Sequence, residues 1–292
     1  MDVQETKIAF IGTGVMGASV VKHLLDASFG VTVYTRTKER AQAVIEAGAT
    51  WAATVGAAMA NADVVFTMVG YPSDVEEVYF GADGIFAAGK EGQTIIDMTT
   101  SSPALAKRIA ERATALNMSA LDAPVSGGDI GAQNGTLSIM CGGIEEQFTK
   151  MLPILSTFGK QIVYQGAAGA GQHTKMCNQI IIATSMIGVC ESLAYAEKAG
   201  LDPETVLQSI ASGAAGSWSL SNLAPRMLAG DFEPGFYVKH FLKDMNIALA
   251  EAKAMNLELP GLQLAQQMYD KLAQSGLEDK GTQVLYQQYT HK

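Results

Sequence analysis

An apolar strand, a glycine-rich turn and an apolar helix open the chain, and this order restricts the fold more than any other feature. The apolar run Lys7–Ile11 suits a buried strand, and Gly12-Thr-Gly14-Val-Met-Gly17 follows it directly. Met16, Val20 and Leu24 then repeat at helical spacing. A lone G-x-G-x-x-G is weak evidence, because glycines also form ordinary turns. Its place between a strand and a helix nevertheless predicts a dinucleotide-binding turn.

Each glycine of this turn has its own expected role. Gly12 permits the tight turn, Gly14 lets the backbone approach a pyrophosphate, and Gly17 lets the helix pack on the strand. The N-terminus of the helix then faces the anion. The alternative is a purely structural turn.

The end of the second predicted strand bears on the choice of cofactor. Val31–Tyr34 is followed by three basic residues within Arg36–Arg40. An enzyme that prefers NAD commonly has Asp or Glu here for the ribose 2′-hydroxyl, whereas a 2′-phosphate requires cationic partners. We therefore favour NADP over NAD, with Arg36 and Thr37 as contacts. The alternative is the solvated start of a helix that runs to Ala47, with Thr37 as its N-cap.

Strands and helices continue to alternate along the first half of the chain. The predicted strands are 64–68, 94–97, 119–123, 136–141 and 161–164, and the predicted helices are 72–80, 103–116 and 145–158. This alternation predicts βαβ units, and hence a mostly parallel sheet covered on both faces. We expect a Rossmann-type, doubly wound α/β domain at residues 1–164.

The second half of the chain carries helical patterns without strand signals. The predicted helices are 172–199, 203–211, 220–228, 238–255, 260–274 and 282–289, with Asp202-Pro203 as a cap followed by proline. We expect an all-α domain at residues 165–292, joined to the first domain by the long helix.

Two polar corners follow predicted strands, at the edge where ligands of parallel sheets bind. The first is Met98–Pro103 and the second is Asp122–Gly128. In Ser126-Gly127-Gly128 a hydroxyl and unshielded backbone N–H groups suit a carboxylate. A turn without a ligand is the alternative.

A single lysine stands at the start of the long apolar helix. No charged residue occurs from Met176 to Cys190, so Lys175 begins a segment that is apolar on nearly all faces. A structural ion pair or a snorkelling side chain explains such a lysine, and so does a general acid in a desolvated cleft. The residues alone favour the structural explanation.

Composition narrows the class of protein. A net charge of −9 argues against affinity for nucleic acid or an anionic membrane, and 48% hydrophobic residues allow a real core. Three widely spaced cysteines in apolar surroundings, Cys141, Cys177 and Cys190, are typical of reduced core thiols. The polar N-terminus lacks a basic-then-apolar signal pattern. We expect a cytoplasmic protein with no metal site and no membrane span.

Four motifs in order make the chain similar to the β-hydroxyacid dehydrogenase family, which includes 3-hydroxyisobutyrate dehydrogenases, tartronate semialdehyde reductases and glyoxylate/succinic semialdehyde reductases. The matching segments are Ile8–Gly17, Asp122–Gly128, Gly169–Asn178 and Lys243-Asp244. The resemblance implies a hydride transfer between NAD(P)(H) and a small 3-hydroxy acid or its semialdehyde. It also implies a homodimer or homotetramer that binds a small carboxylate substrate.

The same resemblance implies roles for single residues. Lys175 becomes the general acid and base, and Asn178 orients the substrate one turn along the helix. The expected substrate contacts are Ser126, Gly127, Gly128, Phe236 and Lys243, although Phe236 also suits an ordinary core. The expected cofactor contacts are Gly12, Thr13, Gly14, Val15, Met16, Gly17, Arg36, Thr37, Met68, Val69, Thr100 and Lys243.

The substrate and two rival functions stay open at this point. Asn178-Gln179 is closer to tartronate semialdehyde reductases, whereas Arg36-Thr37 is closer to NADP-using glyoxylate and succinic semialdehyde reductases. An imine reductase is one rival, against which Lys175 argues. A non-catalytic dinucleotide-binding redox sensor is the other, and it would need the glycine turn but no acid.

Overall fold

The computed structural model describes residues 5–290 and divides the chain into two compact units, Met1–Lys175 and Met176–Lys292. The boundary between the units falls inside one long helix, eleven residues beyond the end of the predicted first domain. The first four residues of the polar N-terminus lie outside the described part.

The first unit contains a nine-stranded sheet, counted over residues 5–290. Its strands are β1 Lys7–Ile11, β2 Gly30–Tyr34, β3 Thr50–Trp51, β4 Val64–Thr67, β5 Thr94–Asp97, β6 Ser119–Asp122, β7 Val125–Ser126, β8 Leu137–Gly143 and β9 Gly159–Gly166. The order is β3-β2-β1-β4-β5-β6-β8-β7, with β9 also paired to β8. β6 and β7 pair antiparallel with β8, and the other pairings are parallel. The predicted doubly wound, mostly parallel sheet is confirmed.

Both faces of this sheet are buried. In β1, Ile8 and Phe10 belong to one apolar cluster, whereas Ala9 and Ile11 belong to a second. Successive side chains of a strand point to opposite faces, so the two clusters fill the two sides of the sheet. This explains why β1 is apolar at four successive positions instead of alternating.

Helices cover the sheet between its strands. They are α1 Val15–Asp26, α2 Gln42–Glu46, α3 Val55–Met59, α4 Pro72–Phe80, α5 Ile85–Ala88, α6 Pro103–Ala115, α7 Gly128–Gln133 and α8 Glu145–Leu155. α9, Ala170–Lys198, begins in the first unit and continues into the second. The two-residue strands β3 and β7 and the short helices α3, α5 and α7 escaped the sequence prediction, because such pieces are too short to show a period.

The segment after β2 differs from its prediction. Instead of one helix up to Ala47, a 3₁₀ turn at Lys38–Ala41 precedes α2. Thr37 occupies the N-cap position, but its side chain makes no cap hydrogen bond. Its carbonyl accepts from the N–H of Arg40 at 3.0 Å. The carbonyl group of Thr37 therefore accepts the hydrogen bond at the start of this turn, whereas the sequence predicted a cap by its hydroxyl group.

The described part of the second unit consists of helices and one isolated bridge between Tyr237 and Gly281. After α9 come α10 Pro203–Ile210, α11 Trp218–Asn222, α12 Ala224–Leu228, α13 Val238–Ala254, α14 Pro260–Gln274, a 3₁₀ helix Thr282–Tyr286 and α15 Gln287–Thr290. Asp202 caps α10 as predicted, accepting from the N–H groups of Glu204 and Thr205. The predicted single helix 220–228 is wrong, since Pro225 lacks the N–H that would continue it and the chain starts a new helix there.

Helix α9 is unusual for its exposed apolar surface. By length and composition it is able to cross a membrane, a test that the core helix of a soluble protein also passes, and 39% of its most apolar window is buried within the protein. Cys190 on this helix and Cys141 on β8 are buried free thiols. Cys177 is exposed, so its assignment to the core was wrong. It lies on the solvent side of α9, which a nearly uniform apolar sequence does not reveal.

Candidate active site

The turn between β1 and α1 admits only glycine at two of its positions. Gly12 has φ +103°, and a Cβ there would lie 2.2 Å from the carbonyl oxygen of Met68. A Cβ on Gly17 would lie 2.1 Å from the carbonyl oxygen of Gly12. The first glycine therefore brings β1 close to the end of β4, and the third lets α1 pack against the turn.

The middle of the turn faces open space and fits an anion. A Cβ on Gly14 would meet nothing within 4 Å, and Gly14 is the N-cap of α1 with no side-chain cap bond. Thr13 is buried, and its hydroxyl has no hydrogen-bond partner within residues 5–290. Val15 is exposed, whereas Met16 packs on the core. Unsatisfied N–H groups at a helix start and an unpartnered hydroxyl suit the pyrophosphate of a dinucleotide.

The predicted ribose end of the site contains an ion pair. Arg36 follows β2, its side chain is 73% exposed, and its Nη2 lies 3.2 Å from Oδ1 of Asp74. The other oxygen of Asp74 accepts from the N–H of Tyr71 at 3.0 Å in a capping box at the start of α4. Thr37 is exposed beside Arg36. An exposed guanidinium held by a capping carboxylate is able to bind a phosphate.

The ends of β4 and β5 are tied together beside the glycine turn. The N–H of Met68 donates to Ile11, and the N–H of Val69 donates to Oγ1 of Thr99 at 3.0 Å. Thr100, half-buried, follows directly. All three predicted cofactor residues on these strands, Met68, Val69 and Thr100, therefore lie at the carboxyl edge of the sheet.

The buried carboxyl group of Asp97 accepts hydrogen bonds from residues at this edge of the sheet. Oδ1 of Asp97 accepts from the hydroxyl of Thr67 at 2.9 Å and from the N–H of Thr99 at 3.0 Å. The pKa of Asp97 is raised from 3.8 to about 6, mainly by burial and to a smaller extent by the charge of Asp122, its neighbour on β6. These hydrogen bonds oppose the shift in pKa.

The predicted carboxylate-binding corner has the backbone it needs. Gly127 has φ +131° and Gly128 has φ +64°, so both lie in the region that favours glycine. Gly127 is the N-cap of α7 and has no side-chain cap bond, and Ser126 ends β7 directly before it. A hydroxyl and the N–H groups of a helix start thus lie next to one another at one corner.

Lys175 is held next to this corner. The residue is 7% exposed, and its Nζ donates to the carbonyl oxygen of Val125 at 2.8 Å. Val125 directly precedes Ser126 in β7. The lysine therefore binds the backbone directly beside the predicted substrate contacts.

A polar network that sequence reasoning missed fixes the start of α9. Asp122 accepts from the N–H groups of Gly169 at 2.7 Å and Gln172 at 2.8 Å. Burial raises the pKa of Asp122, and these two bonds oppose that rise. The side chain of Gln172 reaches the segment around Thr100. Both residues stand in the recognised motifs, but nothing in their spacing indicated that they bind each other.

The second unit holds the remaining candidates. Nδ2 of Asn178 donates to Oε1 of Gln179 at 2.6 Å, and Nε2 of Gln179 donates to Asp244 at 2.6 Å. Nζ of Lys243 lies 3.1 Å from the other oxygen of Asp244. Gln179 and Asp244 therefore connect two predicted site residues, a role that the sequence did not indicate.

Phe236 has a packing role in the second unit. It is half-buried, and its ring lies 5.6 Å from that of Phe241. Within residues 5–290, no group of three or more His, Cys, Asp and Glu side chains is placed to hold a metal ion.

Family models match almost the entire chain. The NAD binding domain of 6-phosphogluconate dehydrogenase matches residues 7–166. The NAD-binding model of NADP-dependent 3-hydroxyisobutyrate dehydrogenase matches residues 169–289.

Individual proteins agree with these models. The oxidoreductase YkwC of Bacillus subtilis is 64% identical over 279 residues, which cover 96% of this chain and 97% of the relative. The 2-hydroxy-3-oxopropionate reductase of Escherichia coli is 40% identical and covers 92% of each chain. The solved structure of Mycobacterium tuberculosis 3-hydroxyisobutyrate dehydrogenase with L-serine has a TM-score of 0.89 and 31% identity, and covers 97% of this chain and 98% of that one.

Proposed function

We propose that this chain, which belongs to the β-hydroxyacid dehydrogenase family, reduces a small semialdehyde to a 3-hydroxy acid. In the reverse direction it oxidises the 3-hydroxy acid. Lys175 is the general acid in the first direction and the general base in the second. The observation that supports this role most is the bond from the buried ammonium of Lys175 to the carbonyl of Val125, which adjoins Ser126. A charged donor at such a corner is suited to protonate an oxygen that gains charge during reduction.

Different residues of the first unit bind the substrate and transfer the proton in the proposed reaction. The bound nicotinamide cofactor supplies or accepts the hydride. Ser126 and the N–H groups of Gly127 and Gly128 hold the substrate carboxylate and so fix which carbon faces the hydride. Lys175 gives a proton to the developing alkoxide from about 3 Å in reduction, and takes the hydroxyl proton in oxidation.

A panel of substrates and one variant test this assignment. Glyoxylate and semialdehydes of two to four carbons are each assayed with NADH and NADPH. Replacing the lysine, Lys175→Ala, should abolish turnover of every accepted substrate while the Kd for the cofactor stays nearly unchanged. Turnover that survives in Lys175→Ala would refute the lysine mechanism. A wild-type chain that binds cofactor but reduces none of the panel would instead support a redox sensor.

For the cofactor we propose NADP. Arg36 provides an exposed guanidinium after β2, and one matching family model describes an NADP-dependent enzyme. A charge-assisted bond to the 2′-phosphate is worth about 1.5–3 kcal/mol, so Arg36→Ala should weaken NADPH binding by about tenfold or more and leave NADH nearly unaffected. Equal losses for NADPH and NADH, measured by titrating cofactor fluorescence, would contradict this choice.

We further propose that the exposed side of α9 pairs with a second copy of the chain. Exposed residues recur on this helix every three or four positions, at Cys177, Ile181, Thr184, Gly188, Glu191 and Tyr195. Two of them, Ile181 and Tyr195, are large exposed apolar side chains, and exposed apolar surface favours association. Ile181→Asp should reduce the mass measured by sedimentation to that of one chain, whereas Leu257→Asp, which changes a similarly exposed apolar residue outside α9, should not. An unchanged mass in Ile181→Asp would exclude this face.

A further inference from the structure

The side chain of Gln172 connects two segments that the proposed reaction needs to keep in register. It is completely buried. Its Nε2 donates to the carbonyl oxygen of Thr99 at 2.7 Å, and its Oε1 accepts from the N–H of Ser101 at 2.9 Å. Both polar ends of one amide are thus satisfied by the backbone on either side of a single residue, Thr100.

The helix that carries Gln172 is itself fixed at its start. The backbone N–H of Gln172 donates to Asp122, whose other oxygen accepts from the N–H of Gly169. A Cβ on Gly171 would lie 2.3 Å from the carbonyl oxygen of Met140 and 2.6 Å from that of Asp122. The first turn of α9 therefore lies directly against strand backbone, with no space to slide.

Lys175 lies one helical turn beyond Gln172. Residues three apart on a helix share a face, so Gln172 and Lys175 project from the same side of α9. Gln172 binds the segment that presents Thr100, and Lys175 binds the backbone before Ser126. One short piece of helix thereby spans the carboxyl ends of β5 and β7, the two places where cofactor and substrate contacts were assigned.

We propose that Gln172 is a positioning residue, which sets the distance from the Thr100 segment to Nζ of Lys175. This inference rests on the proposed function, because it concerns the same lysine. Without the amide, the carbonyl of Thr99 and the N–H of Ser101 lose their buried partners, and the segment must move to find water or another group. A displacement of about 1 Å at a reacting centre is able to reduce a rate by about 100-fold.

The chain provides a matched control in Gln93. This glutamine is also buried, and its Nε2 donates to the carbonyls of Met59 at 3.1 Å and Ala62 at 2.8 Å, while its Oε1 accepts from the N–H of Lys90 at 2.8 Å. It precedes β5, whereas the Thr99–Ser101 segment follows the same strand. The side chain of Gln93 thus makes three bonds to backbone at one end of β5, that of Gln172 makes two at the other end, and only Gln172 lies at the proposed site.

The experiment compares Gln172→Met with Gln93→Met in the full-length protein, using the substrate and cofactor that give the highest wild-type turnover. Both variants should lose similar thermal stability. Gln172→Met should lower kcat by about 10-fold to 100-fold with little change in KM, whereas Gln93→Met should keep kcat within about twofold. Backbone hydrogen exchange at residues 98–102 should accelerate in Gln172→Met alone, which gives a readout independent of activity.

Two results would overturn the inference. One is equal loss of kcat in both variants, which would indicate a general effect of destabilisation. The other is a wild-type kcat in a folded Gln172→Met protein. If Gln172→Met does not fold, Gln172→Glu replaces it, because a glutamic acid side chain both donates and accepts hydrogen bonds only when it is protonated. The kcat of Gln172→Glu relative to wild type should then rise as pH falls. A ratio that does not depend on pH counts against the inference. Turnover in Lys175→Ala refutes the proposed function itself, whereas a lysine-dependent enzyme with indifferent Gln172 refutes only the positioning role.

Discussion

Replacing Asp97 by asparagine should change how the stability of the first unit depends on pH. Asp97 lies under the cofactor edge, is 4% exposed, and has a pKa raised from 3.8 to about 6, first by burial. A raised pKa means that the folded protein binds the proton more tightly than the unfolded chain does. The contribution of Asp97 to stability is therefore fully present below about pH 4 and is lost as pH rises through about 6.

The size of this effect follows from the two pKa values. One pKa unit corresponds to about 1.4 kcal/mol, so ionisation of Asp97 should cost up to about 3 kcal/mol of unfolding free energy between pH 4 and pH 7. Asparagine keeps an oxygen for the hydroxyl of Thr67 and the N–H of Thr99, both of which bind the same atom of Asp97. Asp97→Asn should therefore gain stability relative to wild type by up to this amount across the interval.

Urea unfolding at a series of pH values measures the difference. Trp218 is 63% exposed in the second unit, so a Trp218→Phe background leaves Trp51 as the tryptophan that reports on the first unit. Carboxyl groups that do not interact with Asp97 titrate in both proteins and cancel in the comparison, whereas Asp122 is coupled to Asp97 and is part of the measured difference. A difference in unfolding free energy that stays constant from pH 4 to pH 7, or that moves against the variant, would refute the raised pKa of Asp97.

Two further predictions concern the cofactor turn and the ion pair behind it. Gly14→Ala should weaken cofactor binding while leaving the melting temperature of the free protein nearly unchanged, because its Cβ meets open space; Gly17→Ala should lower that temperature, because its Cβ meets the carbonyl of Gly12. Equal melting temperatures for the two variants would contradict this division of roles. Asp74→Asn should tighten NADPH binding relative to NADH by severalfold, because it removes a negative charge that holds Arg36. An unchanged ratio of the two Kd values would show that Asp74 does not compete with the 2′-phosphate for Arg36.

The first unit was predictable because local signals and tertiary packing agree there. Helix 72–80, which begins at a proline, was located at its observed bounds, as were the strands Lys7–Ile11 and Thr94–Asp97. In the second unit the same signal located helix 260–274. A buried strand bounded by turn residues and a helix opened by proline are recognised from a few neighbouring residues. The mostly parallel sheet covered on both faces followed from the alternation of strands and helices.

What the sequence did not reveal depends on contacts between distant positions. Gln172 lies 71 residues from Ser101, and Gln179 lies 65 residues from Asp244. Periodicity places a residue on the face of an element, but it does not identify which backbone group that face will meet. For the same reason the exposure of Cys177 was missed, since a helix that is apolar on all sides does not show which side is covered.

The bond from Lys175 to Val125 also bears on how this site tolerates mutation. The acceptor is a main-chain carbonyl. A substitution at position 125 therefore removes the hydrogen bond only if it moves the backbone. The residue at position 125 is therefore free to vary with the needs of β7 and its packing while the lysine keeps its anchor. A comparison of side chains across homologous sequences would overlook this contact, and the geometry around the lysine would be inherited with the fold of the strand.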